Sequence, residues 1–134
     1  EFPTPSAAAQ HARPGGLRTV CGAPNALRGE SHSGNVSARV LVAMGLCDGL
    51  ASDYLPSTLL GAATRLVGLH LCEWPDAIRL ITSGPATTVG LDDRGALQPG
   101  RRGDLVVFTV HDGVPCVRHV SLAPPATPHP ARPT

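Results

Sequence analysis

Two short stretches hold most of the side chains suited to chemistry. The first, Gly22-Ala23-Pro24-Asn25-Ala26-Leu27-Arg28-Gly29-Glu30-Ser31-His32-Ser33-Gly34-Asn35, sets amide, hydroxyl, imidazole and guanidinium groups among glycines. The second, Leu50-Ala51-Ser52-Asp53-Tyr54-Leu55-Pro56, presents one carboxylate in a short turn. Arg28, Ser31, His32, Ser33 and Asn35 are donors fit for an anionic ligand, and an arginine fork matches phosphate geometry. Backbone N–H groups near Gly29 and Gly34 can approach the same anion. Asp53 suits the role of a base or a metal ligand. Each residue also has a plainer use. Asp53 and Asn35 can cap the helices that follow them, Ser31 and Ser33 can close turns, and Arg28 and His32 can simply face solvent. Tyr54 is placed either against a ligand or beneath the loop.

The elements that would carry these stretches follow from local pattern. Ser6 caps a short alanine-rich helix that Pro14-Gly15-Gly16 ends. Leu17 to Gly22 reads as a buried strand, and the polar block follows it as a loop. Asn35 or Ser37 starts a helix through Val40, Leu41, Ala43 and Met44 to Gly45. Leu46 to Ala51 is the next strand, and Pro56 sits in the first turn of a long helix. Leu59, Leu60, Ala63, Leu66, Val67 and Leu71 form its apolar stripe. Further helices start at Pro75 and near Pro85. Strand, helix, strand, helix with short connections predicts an α/β fold with parallel strands. Beyond Leu91 the pattern changes. Asp104 to Val110 is a strand, paired through His111-Asp112-Gly113 with Val114 to Val120. The proline-rich stretch from Ala123 is expected to be disordered. The divisions are therefore 1–90, 91–122 and 123–134.

Composition narrows the function. The 134 residues carry a net charge of +1 with no lysine, so a clustered basic footprint for nucleic acid is missing. No apolar run approaches the ~18 residues of a membrane span. Aromatics make up 3% of the chain, so the core must be aliphatic. Cys21, Cys47, Cys72 and Cys116 lie in apolar runs without zinc-site spacing, which favours reduced thiols and a cytoplasmic setting. Neither His11, His70, His111, His119 nor His129 shares a metal-ligand spacing with another. Glu73 and Asp76 read as helix-end charges, and Asp92, Asp93 and Asp104 as structural.

Four segments carry a resemblance: Glu1-Phe2-Pro3-Thr4, GAPNALRGESHSGNVSA from Gly22, SDYLPSTLL from Ser52, and ITSGPATTVGLDDRGALQPGRRGDLV from Ile81. Together they resemble the C-terminal third of the amidohydrolase superfamily, and within it the ribose-triphosphate diphosphatases of phosphonate catabolism. The resemblance implies a metal-dependent hydrolase on a (β/α)8 barrel with a small β-domain. Residues 1–90 would then be the last strand–helix units, and 91–122 strands of the β-domain. It also implies release of pyrophosphate from alpha-D-ribose 1-methylphosphonate 5-triphosphate. Asp53 would be catalytic and touch a divalent metal, Zn2+ being the expected ion. Arg28, Ser31, His32, Ser33 and Asn35 would face the small-molecule substrate's phosphates. Glu30 stands where the family block usually has Gly. The remaining metal ligands are expected upstream of Glu1, in a longer protein, so the chain alone is expected to be inactive. A cyclic-amide (C–N) hydrolase of the same superfamily and a non-catalytic degenerate module are the alternatives. No nucleic-acid or membrane partner is implied, and the oligomeric state is left open.

Overall fold

The structure, a computed structural model, describes residues 5–29 and 36–124. The predicted strand end at Glu1–Thr4 and the proline-rich stretch from 125 onward lie outside those residues.

A two-stranded parallel sheet organises the first part of the chain. Strand β1 (Val20–Gly22) pairs with β2 (Gly49–Ala51) in the register Val20↔Gly49, Cys21↔Leu50 and Gly22↔Ala51. Parallel pairing needs a crossover. Here it contains α2 (Ala23–Arg28) and α3 (Ala38–Ala43), after an opening helix α1 (Ser6–Ala12). Both strands are shorter than the apolar runs that predicted them. Leu17 is 65% exposed, and Thr19 only extends the contact, accepting the Asp48 amide at 2.8 Å. The ladder therefore ends where the backbones diverge, not where hydrophobicity does. The cap of α1 is Pro5, whose carbonyl accepts from Ala8 and Ala9, rather than Ser6.

The polar block is the main correction. Its first half is helix α2, with Pro24 in the first turn and Gly29 at the C-cap in a left-handed conformation (φ 91°). Proline inside the start and glycine past the end are a helix signature even when the segment is short and polar. Ser37 caps α3, its Oγ accepting from the Arg39 amide at 3.2 Å, and Met44 already lies beyond the helix.

Three helices follow: α4 (Thr58–Gly68), then α5 (Trp74–Ile81) and α6 (Ser83–Thr88), the last two packing on β2. Helix α4 begins two residues after Pro56, with Ser57 at its N-cap. Of the predicted stripe it buries Ala63 and Leu66, while Leu59, Leu60 and Val67 are half-buried and Leu71 lies beyond its end. Ala62, outside that stripe, is buried as well, and the helix packs on α2 and α5. Glu73 holds the N-cap position of α5 without a side-chain capping bond, and Asp76 lies in the first turn; both charges are favourable at the positive helix end. Helix α6 seats directly on the start of β2. A Cβ at Gly84 would overlap the Asp48 carbonyl oxygen, and one at Gly49 would lie 3.0 Å from the Pro85 nitrogen. The core is aliphatic as composition required: Leu41, Leu50, Leu66 and Cys21 are its largest fully buried side chains. Alanines such as Ala23, Ala26 and Ala62 let the helices approach closely.

An antiparallel hairpin closes the described part, with β3 (Leu105–His111) and β4 (Val114–Ser121). The connection is Asp112-Gly113, both with positive φ (51° and 76°), as a two-residue hairpin turn requires. The hairpin packs on α4 through β4, and Phe108 meets Trp74 of α5 at a ring-centroid distance of 5.9 Å. The structural reading of Asp93 and Asp104 holds. Asp93 pairs with Arg94, and Asp104 pairs with Arg102 and accepts the Ala123 amide.

Candidate active site at the carboxyl ends of the parallel strands

Because β1 and β2 run parallel and in register at Gly22↔Ala51, the chain leaves both at the same edge of the sheet. From Gly22 it enters α2, and from Ala51 it enters the Ser52-Asp53 turn. In α/β folds that edge is where ligands bind. Two of the predicted site residues belong to described elements there. Arg28 is the exposed last residue of α2, not a loop residue, and Asp53 is exposed in the turn after β2. Ser31, His32, Ser33 and Asn35 lie outside the described residues, as does Glu30.

Asp53 has a left-handed backbone, with φ 55°. For an L-residue that conformation carries a steric cost, which Asp and Asn bear better than most. The turn is closed by the Leu55 amide donating to the Ser52 carbonyl at 3.2 Å. The Leu55 carbonyl in turn accepts from the Thr58 hydroxyl at 2.6 Å, which joins the turn to α4. The N-cap position of α4 is Ser57, four residues beyond Asp53. A non-glycine residue kept in such a conformation beside a strand end is a recurring feature of functional sites. Tyr54 next to it is 72% exposed, so it is not packed beneath a loop.

Two residues that sequence reasoning passed over organise the block. Asn25 is 7% exposed, and its Oδ1 accepts the Ala38 amide at 2.8 Å, linking α2 to the first residue of α3. Arg39 reaches back from α3 to the C-terminal end of α2. Its Nε donates to the Ala26 carbonyl at 2.8 Å and its Nη2 to the Leu27 carbonyl at 2.5 Å. A signal for Arg39 was present: a cation in the first turn of a helix opposes the helix dipole and needs a partner elsewhere.

The opposite, amino-terminal edge is built for stability. Asp48 Oδ1 pairs with Arg13 at 3.0 Å while Oδ2 accepts the Thr19 amide at 2.8 Å, and Arg13 also donates to the Gly45 carbonyl. Just ahead of β2, the Cys47 thiol donates to the Gly49 carbonyl at 3.2 Å. Its thiol is pushed far above the ordinary thiol range by its hydrogen bond with Cys21 and then by burial. Cys21 is lowered by the same hydrogen bond. All four cysteines are free thiols, as their spacing predicted.

Among the described residues no three His, Cys, Asp or Glu side chains converge to hold a metal ion. Asp53 is a chemically suitable donor at the strand edge, but the described residues do not compose a metal centre by themselves. No helix of the described residues is long and apolar enough to cross a membrane.

With two parallel strands and an exposed carboxylate after the second in place, the family can be stated. Residues 52–125 match the amidohydrolase family, and the chain belongs to it. Over 122 residues, 90% of the chain, it is 43% identical to the alpha-D-ribose 1-methylphosphonate 5-triphosphate diphosphatase of Escherichia coli (strain K12). The chain spans 32% of that relative's length. A shorter match, 59% identical over 32 residues, joins it to the adenine deaminase of Ligilactobacillus salivarius (strain UCC118) and covers 24% of this chain and 6% of the deaminase. No solved structure matches.

Proposed function

We propose that the polypeptide carrying this chain hydrolyses a phosphoanhydride. Its substrate is alpha-D-ribose 1-methylphosphonate 5-triphosphate, and it releases pyrophosphate in phosphonate catabolism. The observation that carries the reading is the 43% identity to a diphosphatase across 90% of the chain, which takes in both the polar block and the Asp53 turn. In this reading β1 and β2 with their helices are the last units of a (β/α)8 barrel, and the hairpin belongs to a small β-domain. Their carboxyl ends would then form part of the barrel's catalytic face.

The chemistry assigned to this chain is proton handling and anion binding. As a water oxygen bonds to phosphorus and the anhydride P–O bond breaks, pyrophosphate leaves and the 5-phosphate stays on the sugar. Asp53 accepts the proton that the water gives up. Arg28, Ser31, His32, Ser33 and Asn35 donate to phosphoryl oxygens and set the triphosphate's orientation. Metal dependence, with zinc the first ion to try, belongs to the same proposal. Asp53 would supply one oxygen donor, and the other donors must come from beyond the described residues. The free thiols, two of them buried and two half-buried, fit a cytoplasmic enzyme.

The test is 31P NMR of the complete polypeptide with the ribose triphosphate. Pyrophosphate and a ribose 5-phosphate product are expected. Turnover of cyclic amides, with the triphosphate untouched, would overturn the proposal in favour of C–N hydrolysis.

A further inference from the structure

Helix α4 contains a glycine that its own backbone does not require. Gly61 is the fourth residue of this 11-residue helix, and its φ is not positive. Alanine is the better helix former at such a position, so the packing must supply the reason for glycine. That reason is Leu27 of α2, on which α4 packs. A Cβ at position 61 would lie 3.3 Å from Leu27 Cδ1, closer than ordinary van der Waals contact. The Leu27 backbone is held independently, its carbonyl accepting from Arg39 Nη2 at 2.5 Å and the Ala26 carbonyl from Arg39 Nε at 2.8 Å. The two helices in contact also carry the described members of the candidate site. Arg28 follows Leu27 as the last residue of α2. At the start of α4 the Thr58 hydroxyl donates to the Leu55 carbonyl at 2.6 Å, and the Leu55 amide donates to the Ser52 carbonyl at 3.2 Å. Those bonds tie the Asp53 turn to the helix just ahead of Gly61.

We infer that Gly61 is a positioning residue: by letting Leu27 seat against α4, it sets the spacing between the end of α2 at Arg28 and the carboxylate of Asp53. This rests on the proposed diphosphatase reading. Gly61 has no side chain to offer the substrate, and it acts through the two helices. The physical point is alignment, because a phosphoryl group held from α2 must stand in line with the water whose proton Asp53 takes. A misplacement of about 1 Å costs about a hundredfold in rate. Yielding by a few tenths of an ångström at Leu27 is therefore worth about four- to tenfold.

The experiment uses the complete polypeptide, with inorganic tripolyphosphate as the binding probe and the ribose triphosphate as substrate. Gly61→Ala, Leu27→Ala and the double variant are compared with wild type. Gly61→Ala should melt at or above the wild-type Tm, since alanine improves the helix. It should bind tripolyphosphate within about twofold of wild type, because the anion-binding groups are displaced but intact. Its kcat should fall by about four- to tenfold. Against the Leu27→Ala background, Gly61→Ala should leave kcat unaltered, because the side chain it displaces is gone. Gly61→Val, with a larger side chain against Leu27, should lower kcat further than Gly61→Ala. A Gly61→Ala protein with wild-type kcat, or one whose loss persists in the Leu27→Ala background, would overturn the positioning role alone. So would a loss of kcat accompanied by falls in Tm and tripolyphosphate binding, which would make Gly61 a packing residue only. Wild type binding no tripolyphosphate and hydrolysing no substrate would remove the diphosphatase reading and this inference together.

Discussion

The left-handed conformation of Asp53 yields a prediction that is independent of any activity assay. Asp53→Gly and Asp53→Ala remove the same carboxylate and every interaction it makes, so the difference between them isolates the backbone. At an ordinary position alanine is the more stable by about 0.4–1 kcal/mol, because glycine has more freedom to lose on folding. At φ 55° the order reverses. The left-handed region costs an L-residue roughly 1–2 kcal/mol that glycine does not pay. Setting one against the other leaves Asp53→Gly more stable than Asp53→Ala by about 1 kcal/mol. For a chain of this size that is roughly 3–5 °C in Tm. Urea unfolding followed by circular dichroism measures it, and equal slopes for the two variants confirm that only stability has moved. Asp53→Asn should lie near wild type, since asparagine tolerates the same region. An alanine variant as stable as the glycine variant, or more so, would show that position 53 is not left-handed and would remove the strained turn from the account.

Other consequences follow from the packing and the thiols. Gly84→Ala drives a methyl group into the Asp48 carbonyl oxygen and should destabilise the fold by about 1–3 kcal/mol or more; a chemical-denaturation midpoint equal to wild type would show that α6 does not seat on β2. Cys47 has its folded pKa raised above the ordinary thiol value of 9.0, so its contribution is complete below about pH 9 and is lost as pH rises further. Cys21 shifts the opposite way and offsets part of the loss. Thermal melts should therefore hold or rise as pH approaches about 9, where Cys21 gains its contribution, and fall above it; Cys47→Ala should show a shallower decline. Arg13→Met breaks a pair in which Asp48 is largely sheltered and should lower stability by about 1–3 kcal/mol. Because Arg13 lies at the edge away from Asp53, tripolyphosphate binding should not change.

Much of this arrangement was legible in the sequence wherever a single local rule decided the outcome. The stripe through Ala63 and Leu66 marks α4, prolines mark the starts of α5 and α6 to within two residues, and His111-Asp112-Gly113 marks the hairpin turn one residue too long, His111 being the last residue of β3. The strand ends were less legible. Apolar character at Leu17 or Leu46 says only that a residue avoids water, whereas a strand ends where its partner backbone stops running alongside. In sequence, helix α2 resembles a loop because Pro24, Asn25 and Gly29 are individually loop residues. Their order, proline inside the start and glycine at the end, was the better guide. Asn25 and Arg39 were missed for a different reason. Their bonds join residues 12 or 13 positions apart, and no local pattern records which carbonyl a guanidinium will find. The family resemblance, by contrast, is legible because contiguous stretches carry it, among them the polar block and the Asp53 turn.

The central claim is that the carboxylate at position 53 takes the proton of the attacking water. Asp53→Asn tests it most directly, since the substitution keeps the side chain's shape and tolerates the backbone while abolishing its basicity. In the complete polypeptide the account predicts that pyrophosphate release from the ribose triphosphate falls by about a thousandfold or more, within or beyond the range typical of removing a general base. Tripolyphosphate binding and Tm should stay near their wild-type values. An Asp53→Asn protein that releases pyrophosphate within tenfold of the wild-type rate would contradict the account.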